Sequence, residues 1–185
     1  MKNWAVVESC LQPGDIVLVH YTGPAGFNAT KSDGIEWFSG KKASHCGTYI
    51  GNGQIVEAMV LGVVVSKMAK YYGDAYALTV RRLEVPDREM IAASALTHVG
   101  KTYDFSQIGV SGIYFLAGKA GLRGFQAWVR NKWRGWRASY TCSESCTVAV
   151  WQAVGVDLFP TLDYGFVSPG MLLETPLLTT VCTAD

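Results

Sequence analysis

The chain has 185 residues, 49% of them hydrophobic and 17% charged, with a formal net charge of +1. That composition supplies a packed core for one domain and excludes intrinsic disorder. The near-neutral balance gives no global field toward polyanions, so sequence-specific nucleic-acid binding is not expected.

The N-terminal MKNWAVVESCLQPGD lacks the apolar core of a secretion signal, and no run approaches the ~18 apolar residues that span a bilayer. A cytoplasmic protein is therefore the default expectation, with release by lysis or delivery in a phage particle as the alternatives. Five cysteines, at 10, 46, 142, 146 and 182, follow no disulfide framework of a small secreted domain, so reduced thiols are expected.

In chain order, QPGDIVLVHY (12 to 21) is a turn followed by an alternating apolar run, which predicts a strand. Residues 22 to 43 are rich in Gly, Lys, Ser and Asn around Trp37 and Phe38. They predict a long loop of the kind that borders binding sites. SHCGTYIG (44 to 51), QIVEAMV (54 to 60), GVVVSKM (62 to 68) and AYALTVRRLE (75 to 84) predict four consecutive strands. The first connections are too short for crossovers, so an antiparallel meander is expected. PDREMIAASALTHVG (86 to 100) predicts a helix opened by Pro86 and Asp87 and closed by Gly100.

GKTYDF then leads into an insertion, 106 to 138. It carries Lys119, Arg123, Arg130, Lys132, Arg134 and Arg137 together with Trp128, Trp133 and Trp136. No acidic residue stands between Asp104 and Glu144. SESCTVAVWQAVG (143 to 155) predicts a buried helix ending at Gly155, and the tail DLFPTLDYGFVSPGMLLET predicts irregular covering structure. The fold class expected is α+β, a small antiparallel sheet packed against helices on either side of the insertion in sequence.

YTCSESC (140 to 146) places Cys142 where coil gives way to helix. A thiol there faces unpaired N–H groups and the positive end of the helix dipole, which favour the thiolate. The same N–H groups suit an oxyanion. Such a nucleophile needs a base. His45 is the best placed, at the opening of a strand that the cysteine helix would cover. His20 ends the first strand, and His98 falls in the last turn of a helix, where the dipole accounts for it.

A third group must orient the imidazole. If GNG forms a three-residue turn, Ile50 pairs with Gln54, Gly47 faces Glu57, and Glu57 shares a face with His45. A two-residue Asn52-Gly53 turn would send Glu57 to the other face. From these residues alone, an exposed strand glutamate is the preferred reading of Glu57.

Other uses of the cysteines fit less well. A zinc site on His45, Cys46, Cys142 and Cys146 would need adjacent strand residues that point to opposite faces. No metal or organic cofactor is expected. A 142–146 disulfide within one helical turn is geometrically awkward, and Cys146 suits packing. Cys10 and Cys182 have no evident partner.

GKTYDF, then YTCSESC, then GVDLFP resemble the NlpC-like cell-wall peptidase pattern. There a G-x-P-Y turn precedes a D-C-S-G-L helix start and a G-x-x-L-P element follows. The histidine of SHCGTYIGNGQIVEA stands before the cysteine instead of after it. That order resembles the circularly permuted branch, with the YiiX-like hydrolases and, more distantly, the lecithin retinol acyltransferase group. PGDIVLV, SH-x-G-x-YIG, the V-E-A strand, G-x-x-YD and CSE resemble YiiX-type elements over most of the chain.

The resemblance implies a papain-like, permuted NlpC-type single domain and a cysteine-dependent hydrolase. Cys142 would be the nucleophile, His45 the general base and Glu57 the orienting acid. Tyr103 would line the site, with Ser143 and Trp37 as further substrate contacts. Peptide, isopeptide, cell-wall and acyl-lipid substrates all suit this chemistry, and a non-catalytic structural protein on the same fold is the alternative. Thr102 replaces the usual Pro, Ser145 replaces an apolar residue, and the insertion is long. That insertion is expected to be a lid, or a contact for a membrane surface or anionic polymer through 119–137.

Overall fold

The computed structural model describes residues 4–24, 42–132 and 139–184. The chain opens with a short helix, α1 (Trp4–Cys10), to which the sequence reading assigned no element. A turn at Gly14, with φ of 90°, leads into β1 (Ile16–Tyr21). A Cβ at Gly14 would lie 2.3 Å from the Arg88 carbonyl oxygen, so only glycine fits there. Two hairpins follow as expected, joining β2 (His45–Gly51), β3 (Gln54–Met59) and β4 (Gly62–Lys67).

The expected meander stops at β4. A 3-10 turn (Met68–Tyr71) carries the chain over the sheet, and β5 (Tyr76–Arg82) pairs with β1. Short hairpin turns force neighbours to pair, whereas the longer 68–75 connection leaves the strand free to find the other edge.

The β2–β3 turn corrects a second expectation. It is a two-residue turn, with Asn52 and Gly53 at φ of 52° and 67°. A bulge between Tyr49 and Gly51 supplies the residue that this turn omits. Gly51 instead of Ile50 pairs with Gln54, yet Thr48 still stands opposite Val56. The register that puts Glu57 on the His45 face therefore survives by a different route.

Helix α2 (Glu89–Leu96) occupies the middle of its expected span. The short strands β6 (Thr102–Tyr103) and β7 (Ser139–Tyr140) pair in parallel and bracket the insertion. The insertion itself forms α3 (Phe105–Lys119) and α4 (Arg123–Lys132). Trp133, Arg134, Trp136 and Arg137 lie outside the described residues. Helix α5 (Cys142–Val154) ends at Gly155 in the left-handed conformation, as expected. The tail is more regular than expected. It holds α6 (Pro169–Glu174) and β8 (Thr179–Ala184), which completes the sheet in the order β4-β3-β2-β1-β5-β8.

Strand alternation divides the core. Ile16, Leu18, Cys46, Val56 and Ala58 face Ile91 and Ala95 of α2 and Cys146, Ala149 and Val150 of α5. Val17, Val19, Tyr49, Ile55, Leu78 and Val80 face Val7, Met68 and Tyr71. Each large aliphatic group so buried stabilises the fold by about 1.5–3 kcal/mol. Cys10 and Cys182 form a disulfide between the end of α1 and β8, which overturns the expectation that all five thiols are reduced. Their separation of 172 residues hid the pairing from the sequence.

Candidate active site

Cys142 is the first residue of α5. Thr141 Oγ1 accepts the Glu144 N–H at 3.3 Å, and Glu144 Oε2 accepts the Thr141 N–H at 3.3 Å. This reciprocal capping box fixes the helix start immediately before the thiol, and its signal is the T-x-x-E pattern in the sequence. The first-turn N–H groups of Cys142 and Ser143 are among those that no helix can satisfy internally.

His45 begins β2. Its Nε2 lies 2.7 Å from Glu57 Oε2, which leaves Nδ1 as the ring nitrogen free of that contact. The Glu57 side chain is fully buried. Its Oε2 also accepts the Tyr71 hydroxyl at 2.5 Å, and its Oε1 accepts the Lys70 ammonium. Lys70 further donates to Ser66 Oγ at 3.2 Å. Lys70 and Tyr71 were missed by sequence reasoning. They come from the 3-10 turn that the expected meander left out, and no local pattern ties them to Glu57.

These contacts set the charges. Burial alone would raise the Glu57 carboxyl, but the hydrogen bond and charge of His45, with Lys70 and Ser66, hold it at about 2. Burial alone would lower His45, but hydrogen bonds to Cys142 and Glu57 and the charges of both raise it to about 10. The Cys142 thiol sits well below its ordinary range. A hydrogen bond from Cys46 is the main cause, and the hydrogen bond and charge of His45 act with it against burial. Burial and the Glu57 charge keep the Tyr71 phenol protonated, so it remains a donor. These shifts favour a thiolate–imidazolium pair backed by a carboxylate, on which three donors converge.

Cys46 points toward α5 and His45 toward Glu57, as alternation requires. Both nevertheless bear on the charge of the Cys142 thiol. Cys46 also lies 3.8 Å from Cys146 Sγ, and Cys146 packs in the core as expected.

Tyr103, Cys142 and Ser143 line one cleft with Ile108, Phe115 and Val167. Burial and the nearby Cys142 push the Tyr103 phenol up, so it stays neutral. The Ser143 hydroxyl donates to the Val167 carbonyl at 2.6 Å, which engages it in holding the cleft wall. Trp37 lies outside the described residues. His98 does not cap a helix dipole. It is buried, with its ring nitrogens 3.1 Å from Ser145 Oγ and 3.1 Å from Gln152 Oε1, and it stacks on Tyr140. It ties α2 to the cysteine helix.

A family profile described as permuted papain-like amidase enzyme, YaeF/YiiX, C92 family, matches residues 10–114. His45 and Glu57 fall within that match and Cys142 beyond it. Among solved structures, the chain is similar to the crystal structure of metalloprotein yiiX from Escherichia coli O157:H7. The two share 20% identity over 92% of this chain and 96% of that one, with a TM-score of 0.62. Among the described residues here, no group of three or more His, Cys, Asp or Glu side chains is placed to hold a metal ion. No curated protein sequence matches the chain. The profile covers more than half of the chain and the structural likeness nearly all of it, and the chain belongs to the permuted papain-like amidase family.

Proposed function

We propose that this protein is a cysteine hydrolase that cleaves an amide bond, with Cys142 as nucleophile, His45 as acid and base, and Glu57 as the residue that orients and charges His45. The 2.7 Å contact between His45 and the buried Glu57 carboxylate carries the reading, with the mutual electrostatic influence of His45 and Cys142 beside it. The Cys142 thiolate attacks the carbonyl carbon, and the resulting oxyanion is received by first-turn N–H groups of α5. The His45 imidazolium gives its proton to the leaving nitrogen as the C–N bond breaks, leaving a thioester on Cys142. Water, deprotonated by the now neutral His45, resolves the thioester and releases the acid.

The cleft beside the thiol, with Ile108, Phe115 and Val167 in its walls, favours an apolar acyl portion. A lipid acyl amide or ester fits it better than a strongly polar peptide.

The test is the alkylation rate of each cysteine against pH, read by mass spectrometry in the wild type and in His45→Ala. Cys142 is expected to react fast well below pH 8 and to lose that reactivity in the variant, while buried Cys46 and Cys146 stay slow. A Cys142 that is inert, or no faster than Cys146, would sink the reading and favour a non-catalytic protein on this fold.

A further inference from the structure

The α3–α4 hairpin carries a surface that the catalytic reading does not use. α3 exposes Phe105, Ile108, Ile113 and Leu116, and the turn and α4 expose Leu122, Phe125 and Trp128. Phe125 and Trp128 stack on each other, with centroids 5.6 Å apart, although each is about half exposed. Large apolar side chains gathered on one exposed hairpin mark a contact surface.

The charges of the hairpin are of one sign. Lys119, Arg123 and Lys132 are exposed, Arg130 is half-buried, and no acidic residue occurs from 105 to 143. A second cleft opens between the two helices, lined by Tyr114, Gly118, Arg123, Gln126, Ala127 and Arg130. Arg123 and Arg130 stand two helical turns apart, so both guanidinium groups serve the same side of α4. A pair of guanidinium groups with no carboxylate among the lining residues is a donor set for phosphate.

We propose that this hairpin docks on an anionic phospholipid surface, with its apolar side chains entering the interface and the Arg123–Arg130 cleft receiving a lipid phosphate. Cations beside exposed Trp and Phe are the composition of a helix that lies in a membrane interface. No helix among the described residues is long and apolar enough to cross a membrane, so the contact is peripheral. The α3 stripe from Phe105 to Leu116 carries no cation, and this favours a lipid surface over a dissolved polyanion such as nucleic acid. Ile108 belongs both to the exposed stripe and to the Cys142 cleft. An acyl chain leaving the bilayer there meets an apolar wall that continues to the thiol. Resting on the reading of Cys142 as nucleophile, the substrate class is an amide whose acyl part is anchored in a membrane.

The experiment is co-sedimentation of the full chain with phosphatidylcholine vesicles, with and without phosphatidylglycerol. The wild type is expected to bind the anionic vesicles and scarcely the neutral ones. Lys119→Glu with Arg123→Glu is expected to weaken binding by about 25-fold or more, at about fivefold for each cation lost. Phe125→Ser with Trp128→Ser is expected to weaken it comparably. Both variants should keep the melting temperature and the Cys142 alkylation rate, and Cys142→Ala should bind vesicles like the wild type. Fast alkylation of Cys142 without vesicle binding overturns the docking and leaves the catalytic reading standing, and vesicle binding with an inert thiol does the reverse. Equal binding to neutral vesicles, indifference to both hairpin variants, or binding to single-stranded DNA but not to vesicles also overturns the docking.

Discussion

Replacing Glu57 by Gln keeps the side chain's size and removes its charge. The carboxylate oxygen lies 2.7 Å from His45 Nε2. Two unit charges with centres about 4 Å apart interact by about 4 kcal/mol at an effective dielectric near 20. A glutamine carbonyl still accepts the imidazole N–H, and this recovers roughly half of that, so about 2 kcal/mol is lost. The imidazolium loses its anionic partner, so its pKa falls. The loss takes His45 from about 10 to roughly 8.5. The assay is an NMR titration of nitrogen-labelled histidine side chains, and with only three histidines the His45 signals are assigned by their absence in His45→Gln. A His45 that titrates like an ordinary imidazole in the wild type would refute the charge argument. So would one that Glu57→Gln leaves unmoved.

Tyr71→Phe removes a 2.5 Å donor from a carboxylate that has no access to water. It is expected to cost about 1–3 kcal/mol in urea unfolding, and an unchanged midpoint would mean that the hydroxyl is dispensable. The pH dependence of stability has two limbs. Glu57, held at about 2 against an ordinary 4.5, contributes fully above its unfolded value and loses that contribution as the pH falls toward 2. His45, raised from 6.5 to about 10, contributes fully below its unfolded value and loses that contribution as the pH rises through 10. The urea midpoint should therefore be highest between these limbs, and combining Glu57→Gln with His45→Gln should flatten both. A double variant with the wild-type profile would assign the limbs to other groups.

Cys142 and His45 were legible for different reasons. Cys142 stands at a coil-to-helix boundary that composition marks, and His45 opens a strand bounded by turn residues. Glu57 depended on register, and register depended on how two glycines and an asparagine share one turn. The right face was reached through the wrong turn, because a bulge at Gly51 and a shorter turn at Asn52-Gly53 cancel. The donors behind Glu57 were not legible, since Lys70 and Tyr71 reach it only when the chain leaves β4 and crosses the sheet. That crossing is a tertiary choice, made when β5 pairs with β1 and β8 pairs with β5. Strand β8 and the Cys10–Cys182 bond escaped notice for the same reason. TTVCTA carries a weak strand signal by itself and becomes a strand because the β5 edge is open beside it.

The bond between Cys10 and Cys182 turns most of the backbone into a covalent ring. Cutting a ring once makes a line, not two pieces. A single protease nick between those cysteines, for example in the exposed Asn52-Gly53 turn or between α3 and α4, leaves every strand and helix on one molecule. The hairpin that holds His45 and Glu57 and the helix that starts at Cys142 then remain tethered through the opposite arc. The order in which these parts follow one another along the polymer differs between papain-like relatives of permuted and unpermuted type. In a ring that order has no beginning, so while the disulfide lasts a cut changes only where the line starts.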